Sequence, residues 1–244
     1  MAPLNLSPET PVLICGMAGA AGGWAEAGYL RAPAAFAALA GAAIRLDISG
    51  RDIRILPGMS TLTPAPDVMR GEETQLMGLA RDSETLVCLP GTHSKWALCA
   101  GNGLRSFTTY MTGEIYEVMA NHSLLARMLD EGWDAESFAT AVREALEAPA
   151  AVWHRFFGLR ASAVLGEAVP ASARARLSGL LIGAEVAAAR AQFGSGVATL
   201  VAGGVMAQSY TIALEAAGFA VTLRDSDEVT SRGLIRAAQD IWRF

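Results

Sequence analysis

Residues 85–110 read TLVCLPGTHSKWALCAGNGLRSFTTY, and much of the fold class is decided there. Leu86 to Leu89 is an unbroken apolar run of the kind that makes a buried strand. Pro90-Gly91-Thr92-His93-Ser94-Lys95 interrupts it with polar groups, and the strand returns at Trp96. Gly101-Asn102-Gly103 lies between Trp96–Ala100 and Leu104–Tyr110, and because these turn residues tolerate positive φ, a hairpin is expected. Three consecutive antiparallel strands follow.

Outward from this unit the pattern alternates. On the N-terminal side, Pro11 to Cys15 reads as a buried strand that runs into the glycine-rich turn Gly16 to Gly23. Residues around Ala32 to Ala40 read as helix, Ile53 to Leu56 as a short strand stopped by Pro57-Gly58, and Met69 to Leu79 as helix. On the C-terminal side, Asp134 to Gln192 is predominantly helical. Asp134 is its N-cap, and Leu177, Leu180, Leu181, Ala184 and Ala188 form one apolar face. The end returns to α/β, with a strand at Val197 to Ala202, Gly203-Gly204, a helix near Gln208 to Ala217, a strand at Ala220 to Arg224 and a last helix. The polar stretch Arg81 to Glu84 marks a boundary, giving domains at 1–83 and 84–244.

With 244 residues, 52% of them hydrophobic, the chain has enough apolar surface for a sizeable core. Its mean hydropathy is +0.32, yet the most apolar stretch, near Ala34 to Ile44, is too short to span a bilayer. No signal peptide is visible after Met1. A net charge of -5 with no Lys/Arg block argues against nucleic acid or a membrane surface as partner. Three cysteines, Cys15, Cys88 and Cys99, have no CxxC spacing, which suits a reducing cytoplasm and a role as small core residues. His93, His122 and His154 are scattered, so a protein-held zinc site is not expected. Arg160, Arg174 and Arg176 read as solvated helix faces.

Three segments carry candidate chemistry. The turn Gly91-Thr92-His93-Ser94-Lys95 can offer backbone N–H groups and two hydroxyls to a phosphate, with Lys95 as counter-charge; the same residues would also make an ordinary hairpin loop. Gly203 and Gly204 break a buried strand ahead of a helix N-terminus able to hold a polar or anionic group, though a plain tight βα turn has the same form. In Arg70-Gly-Glu-Glu-Thr-Gln75, arginine can grip a carboxylate while Glu72 or Glu73 acts as a base, or the acids simply cap the helix.

Taken in order, ICGMAGAAGGW (14–24), the Tyr29 to Pro33 segment, VMRGEETQ (68–75), LPGTHSKW (89–96), YMTGE (110–114) with NHSLL (121–125), SGLLIGAEVA (178–187) and LVAGG (200–204) resemble the 2-dehydro-3-deoxygalactonokinase family. That family belongs to the actin-like sugar-kinase superfamily. The resemblance implies a two-domain, ribonuclease-H-like α/β fold with ATP between the domains, and transfer of the γ-phosphoryl group of ATP, with Mg2+, to the 6-hydroxyl of 2-dehydro-3-deoxy-D-galactonate. It implies that Gly91, Thr92, His93, Ser94 and Lys95 hold ATP phosphates and that Gly203 and Gly204 hold adenosine. It places the sugar acid near Gly16, Met17, Gly19, Trp24 and Arg70. Related kinases often carry an aspartate near the second phosphate loop; the position here is Ser94, which shifts the expected base to Glu72 or Glu73, with Glu114 as a third candidate. The ligands of the metal are not readable. A homodimer is compatible with the sequence. The family opens on an Asp-x-Gly-Ser/Thr hairpin with no counterpart here, and residues 1–10 are too few and too polar to supply it. An incomplete first domain is therefore expected, and the rival reading is a non-catalytic remnant that binds nucleotide or sugar.

Overall fold

The structure is a computed structural model that describes residues 7, 9–48, 50–79, 83–129, 132–167 and 170–243. Along the chain, β1 (Val12–Ile14) leads through a 3-10 turn at Gly16–Gly19 to β2 (Tyr29–Arg31), β3 (Ala34–Ala35) and α1 (Ala37–Gly41). Next come β4 (Ile44–Ile48), β5 (Arg51–Ile55), β6 (Gly58–Thr61), β7 (Asp67–Met69) and α2 (Glu72–Gly78). The central portion holds β8 (Thr85–Leu89), β9 (Ser94–Ala100), β10 (Gly103–Tyr110), α3 (Thr112–His122), α4 (Ala135–Glu147), α5 (Val152–Val164) and α6 (Pro170–Phe193). The chain closes with β11 (Val197–Val201), α7 (Gly204–Ala216), β12 (Ala220–Arg224) and α8 (Ser226–Trp242).

Two compact units form. The first takes the described residues of 1–85, 97–108 and 224–244, the second those of 86–96 and 109–223. This grouping differs from the 1–83 and 84–244 division, part of whose boundary, Arg81 and Asp82, lies outside the described residues. The difference has a packing cause: α8, last in sequence, lies against α2. A Cβ added at Gly78 would strike the Val229 carbonyl oxygen, and one at Gly233 would strike that of Thr74. Backbones that close belong to one core, whatever their separation along the chain.

In the first unit β1 pairs parallel with β5, and β4 pairs antiparallel with β5. A second small sheet joins β2 parallel to β6 and β6 antiparallel to β7. The strand expected at Pro11 to Cys15 is present, but β1 is half-buried rather than buried, because it is the outer strand of the order β1-β5-β4. The helix expected over Ala32 to Ala40 is shorter: Ala34–Ala35 is extended and pairs with Gly103 and Leu104 of β10, so only α1 remains helical.

The second unit is built on β11 and β8, flanked by β12 and the first residues of β9 in the order β12-β11-β8-β9. β11 runs parallel to β8 through Ala198↔Leu86, Thr199↔Val87 and Leu200↔Cys88. Val87, Cys88, Ala198 and Leu200 are fully buried, as the unbroken apolar runs require. Asp134 caps α4 by accepting from the N–H groups of Glu136 and Ser137. The single apolar face read for α6 is too narrow. Leu177, Leu180 and Leu181 pack in one cluster with Phe156, while Ile182, Val186 and Ala189 pack in another with Trp96 and Tyr210; Ala188 is exposed. α6 is buried on two sides, as a helix apolar all round should be.

Candidate active site

In the second unit β8 ends at Leu89 and Pro90-Gly91-Thr92-His93 makes the turn into β9. Thr92 and His93 are exposed. α3 presses its first turn against them: Glu114 N–H donates to the Thr92 carbonyl at 2.9 Å. Position 113 must be glycine, because a Cβ there would lie 2.5 Å from the Gly91 carbonyl oxygen and 2.8 Å from Thr92 Cα. His93 Nε2 and Glu114 Oε2 meet at 2.5 Å on the turn's outer side. Lys95 is only 5% exposed and donates from Nζ to the His93 carbonyl at 2.9 Å, stiffening the turn from below.

Ser94 does not stand where a phosphate donor on the turn surface would. It is fully buried, and its Oγ lies 2.8 Å from the Tyr210 hydroxyl. Ser94 opens β9, whose first four residues are all buried, so the strand is covered on both faces where it leaves the turn. Tyr210 in turn donates to Glu185 Oε2 at 2.8 Å, and Trp96 Nε1 donates to Glu185 Oε1 at 2.9 Å. Burial raises the Glu185 carboxyl above its ordinary range, and hydrogen bonds from Thr112, Trp96, Tyr210 and Ser94 oppose that.

Gly203 is extended and Gly204 opens α7 at a φ of +56°, a conformation that favours glycine. No atom would lie within 4 Å of a Cβ at Gly204, so the backbone there is open to a ligand. Beside this helix start is a cavity of about 180 Å³ lined by Gly113 and Tyr116 of α3, Leu181 and Ile182 of α6, and Met206 and Tyr210 of α7. The turn at 91–95 and the glycine pair thus stand in one unit, joined through α3 and α7.

The first unit gathers most of the remaining candidates. Gly71, at φ +108°, brings the 70–73 corner against Gly16: a Cβ at Gly71 would sit 3.5 Å from Gly16 Cα. A Cβ at Gly19 would lie 2.8 Å from Arg70 Nη1. Arg70 donates from Nη2 to the Gly28 carbonyl at 2.8 Å and stacks 4.3 Å from the Tyr29 ring centroid. Its Nε and Nη1 are buried with no hydrogen-bond partner among the described residues. Met17 and Trp24 are 71% and 54% exposed on the same glycine-rich turn.

Glu72 and Glu73 differ. Glu72 is half-buried and accepts from the Arg70 N–H at 3.0 Å. Glu73 is fully buried; both its oxygens accept from the Gly71 N–H, at 2.9 and 2.7 Å, and Oε1 also accepts from the Thr74 hydroxyl at 3.3 Å. Burial pushes its carboxyl from an ordinary 4.5 up to about 7. Glu73 has the proton affinity of a base without access to a ligand. Among the described residues, no group of three or more His, Cys, Asp or Glu side chains could hold a metal ion.

The model of a family described as 2-keto-3-deoxy-galactonokinase matches residues 2–237. The chain belongs to this family. It is 44% identical over 252 aligned residues to the probable 2-dehydro-3-deoxygalactonokinase of Rhizobium meliloti (strain 1021), covering 99% of this chain and 82% of that protein. It is 38% identical over 230 residues to the 2-dehydro-3-deoxygalactonokinase of Escherichia coli (strain K12), covering 93% and 77%. The crystal structure of a Sinorhizobium meliloti protein named for the same activity superposes with a TM-score of 0.94 at 42% identity, covering 98% of this chain and 82% of that one.

Within this galactonokinase family chain, three features escaped the sequence. Tyr29, stacked under Arg70, lies 41 residues away with no pattern linking the two. The buried Glu185–Tyr210–Trp96 cluster had one available signal, a lone carboxylate in the apolar run SGLLIGAEVAAA. Arg176, read as solvated, is a half-buried partner of Glu144 at 2.8 Å, because α4 and α6 bring the two together. No helix among the described residues is long and apolar enough to cross a membrane.

Proposed function

We propose that this chain phosphorylates 2-dehydro-3-deoxy-D-galactonate at its 6-hydroxyl with ATP. What carries the reading is the match along 99% of the chain to a relative named for that activity, and no observation favours a non-catalytic remnant. In this reading Gly91, Thr92, His93 and Lys95 surround the ATP phosphates, with backbone N–H groups of the turn as donors and Ser94 acting from behind through Tyr210. Gly203 and Gly204 take the ribose and the start of the adenine site, whose ring fits the apolar cavity at the head of α7.

The acid belongs to the corner made by Gly16, Met17, Gly19, Trp24 and Arg70. The support is chemical: a guanidinium with two unpartnered nitrogens beside side-chain-free glycines suits a carboxylate or keto oxygen. The substrate's 6-hydroxyl oxygen bonds to the γ-phosphorus, the bond to the β-phosphate oxygen breaks, and ADP leaves with that electron pair. Glu72 accepts the hydroxyl proton, and Glu73 holds the Gly71 amide and the corner in shape. Magnesium would come bound to the ATP phosphates and would supply charge neutralisation there, a role that needs few protein carboxylates. The fold reading is the actin-like, ribonuclease-H-like pair of domains, with the sheet β1-β5-β4 in the first of them, and a reducing cytoplasm is the compartment that supplies ATP.

The test is ADP release from purified protein with Mg-ATP and 2-dehydro-3-deoxy-D-galactonate. Turnover dependent on both substrates is expected. Absence of turnover under conditions in which the Escherichia coli relative is active would overturn the proposal.

A further inference from the structure

We infer that Glu185 is a positioning residue for nucleotide, a buried hub that sets the 91–95 turn and the first half of α7 at a fixed spacing. The inference rests on the assignment of that turn and helix to ATP. Glu185 lies on α6, one turn beyond Leu181 and Ile182 of the cavity lining, and is 3% exposed. Its carboxylate receives hydrogen bonds from three separate elements: Trp96 Nε1 of β9, Tyr210 Oη of α7 and the Thr112 hydroxyl of α3. Trp96 and Ser94 open the strand that leaves the phosphate turn, Thr112 begins the helix that packs on Gly91 and Thr92, and Tyr210 lines the apolar cavity.

The direction of the bonds matters. Tyr210 has one hydroxyl hydrogen and gives it to Glu185, which leaves its oxygen able to accept from the Ser94 hydroxyl. Trp96, Tyr210 and Thr112 are thereby aimed inward at one carboxylate, and Ser94, at the foot of the turn, is tied to the same cluster through Tyr210. A fully satisfied network of this kind selects one arrangement of its members, whereas one missing acceptor leaves several donors buried and unpaired. No apolar residue at position 185 could fill that role, and burying an acid in a helix otherwise packed with Leu, Ile, Val and Ala is costly unless it has these partners.

Two near-isosteric variants test this. Glu185→Gln keeps the volume but can accept from only one of Trp96 and Tyr210 without reversing the chain; Tyr210→Phe removes one oxygen. For both, the KM for ATP should rise about tenfold, as loss of one buried hydrogen bond implies, while the KM for the sugar acid stays within twofold. Glu185→Ala should be more damaging than Glu185→Gln. A purely structural role would lower the folded, active fraction and leave both KM values alone. Folded variants with an unchanged KM for ATP, or with both KM values raised equally, overturn the inference. If Glu185→Gln is recovered unfolded, Tyr210→Phe decides. Calorimetric titration with ADP separates this from the substrate reading. ADP binding by the wild type that weakens about tenfold in the variants, with no sugar acid phosphorylated, keeps the hub and sinks the proposed substrate. A wild type that binds no ADP sinks the hub.

Discussion

Glu73 shows how one buried acid ties a candidate site to stability. Its carboxyl sits near 7 in the fold and near 4.5 when exposed, so between those values the folded chain holds a proton that the unfolded chain releases. Stability from this group is therefore complete below about pH 4.5 and is lost as pH rises through about 7, a change on the order of 3 kcal/mol. Urea unfolding at pH 5, 6, 7 and 8 should show the decline, and Glu73→Gln, which cannot ionise, should flatten it. Arg70 makes the complementary case for binding. Lysine cannot reproduce a guanidinium that bonds the Gly28 carbonyl and stacks on Tyr29 at the same time. Arg70→Lys should lower kcat/KM for the sugar acid by about 10- to 100-fold with little change in the KM for ATP; equal loss for both substrates in steady-state kinetics would contradict the assignment.

Among the elements, glycine positions decide how closely helices approach. On α6, a Cβ at Gly179 would lie 2.5 Å from the Phe138 carbonyl oxygen, and one at Gly183 2.8 Å from both Ala145 Cβ and the Val142 carbonyl oxygen. The two residues are four apart and share the face that meets α4. Alanine is worth about 1 kcal/mol over glycine in a helix interior, yet overpacking of this kind costs about 1–3 kcal/mol. Gly179→Ala meets a backbone carbonyl and should lose about 1 kcal/mol net by chemical denaturation. In the first unit Gly233 meets the Thr74 carbonyl still more closely, and Gly233→Ala should likewise destabilise. Gly113 has a different consequence: a methyl group would push α3 off the Gly91-Thr92 backbone. Gly113→Ala should raise the KM for ATP by about tenfold through the displaced turn.

For the molecule as a whole, ligand linkage offers the broadest check. A nucleotide that binds only the folded chain stabilises it by about 2.7 kcal/mol at a hundredfold excess over Kd. Mg-ATP should therefore raise the unfolding midpoint by several degrees, and the sugar acid should do so independently. A rise with Mg-ATP that is roughly halved in Gly113→Ala at the same ligand concentration, as a tenfold weaker Kd requires, would place the effect at the 91–95 turn.

Periodicity and turn chemistry alone determined the strands β8 to β12, the hairpin at Gly101-Asn102-Gly103, the Asp134 cap and the helical layer, because apolar runs, glycine turns and a short polar cap act over a few residues. Ordered motifs pointed to the kinase family, whose model matches almost the whole chain. Tertiary structure decided what depends on residues far apart in sequence. It turned Ser94 inward to Tyr210, 116 residues away, and gave Glu185 its three donors. It withdrew Glu73 from contact while leaving Glu72 accessible, though the two are neighbours. It also drew α8 onto α2 through Gly78 and Gly233. Burial and donor direction are properties of surroundings that the chain assembles only when it folds, so residue identity and spacing do not encode them one position at a time.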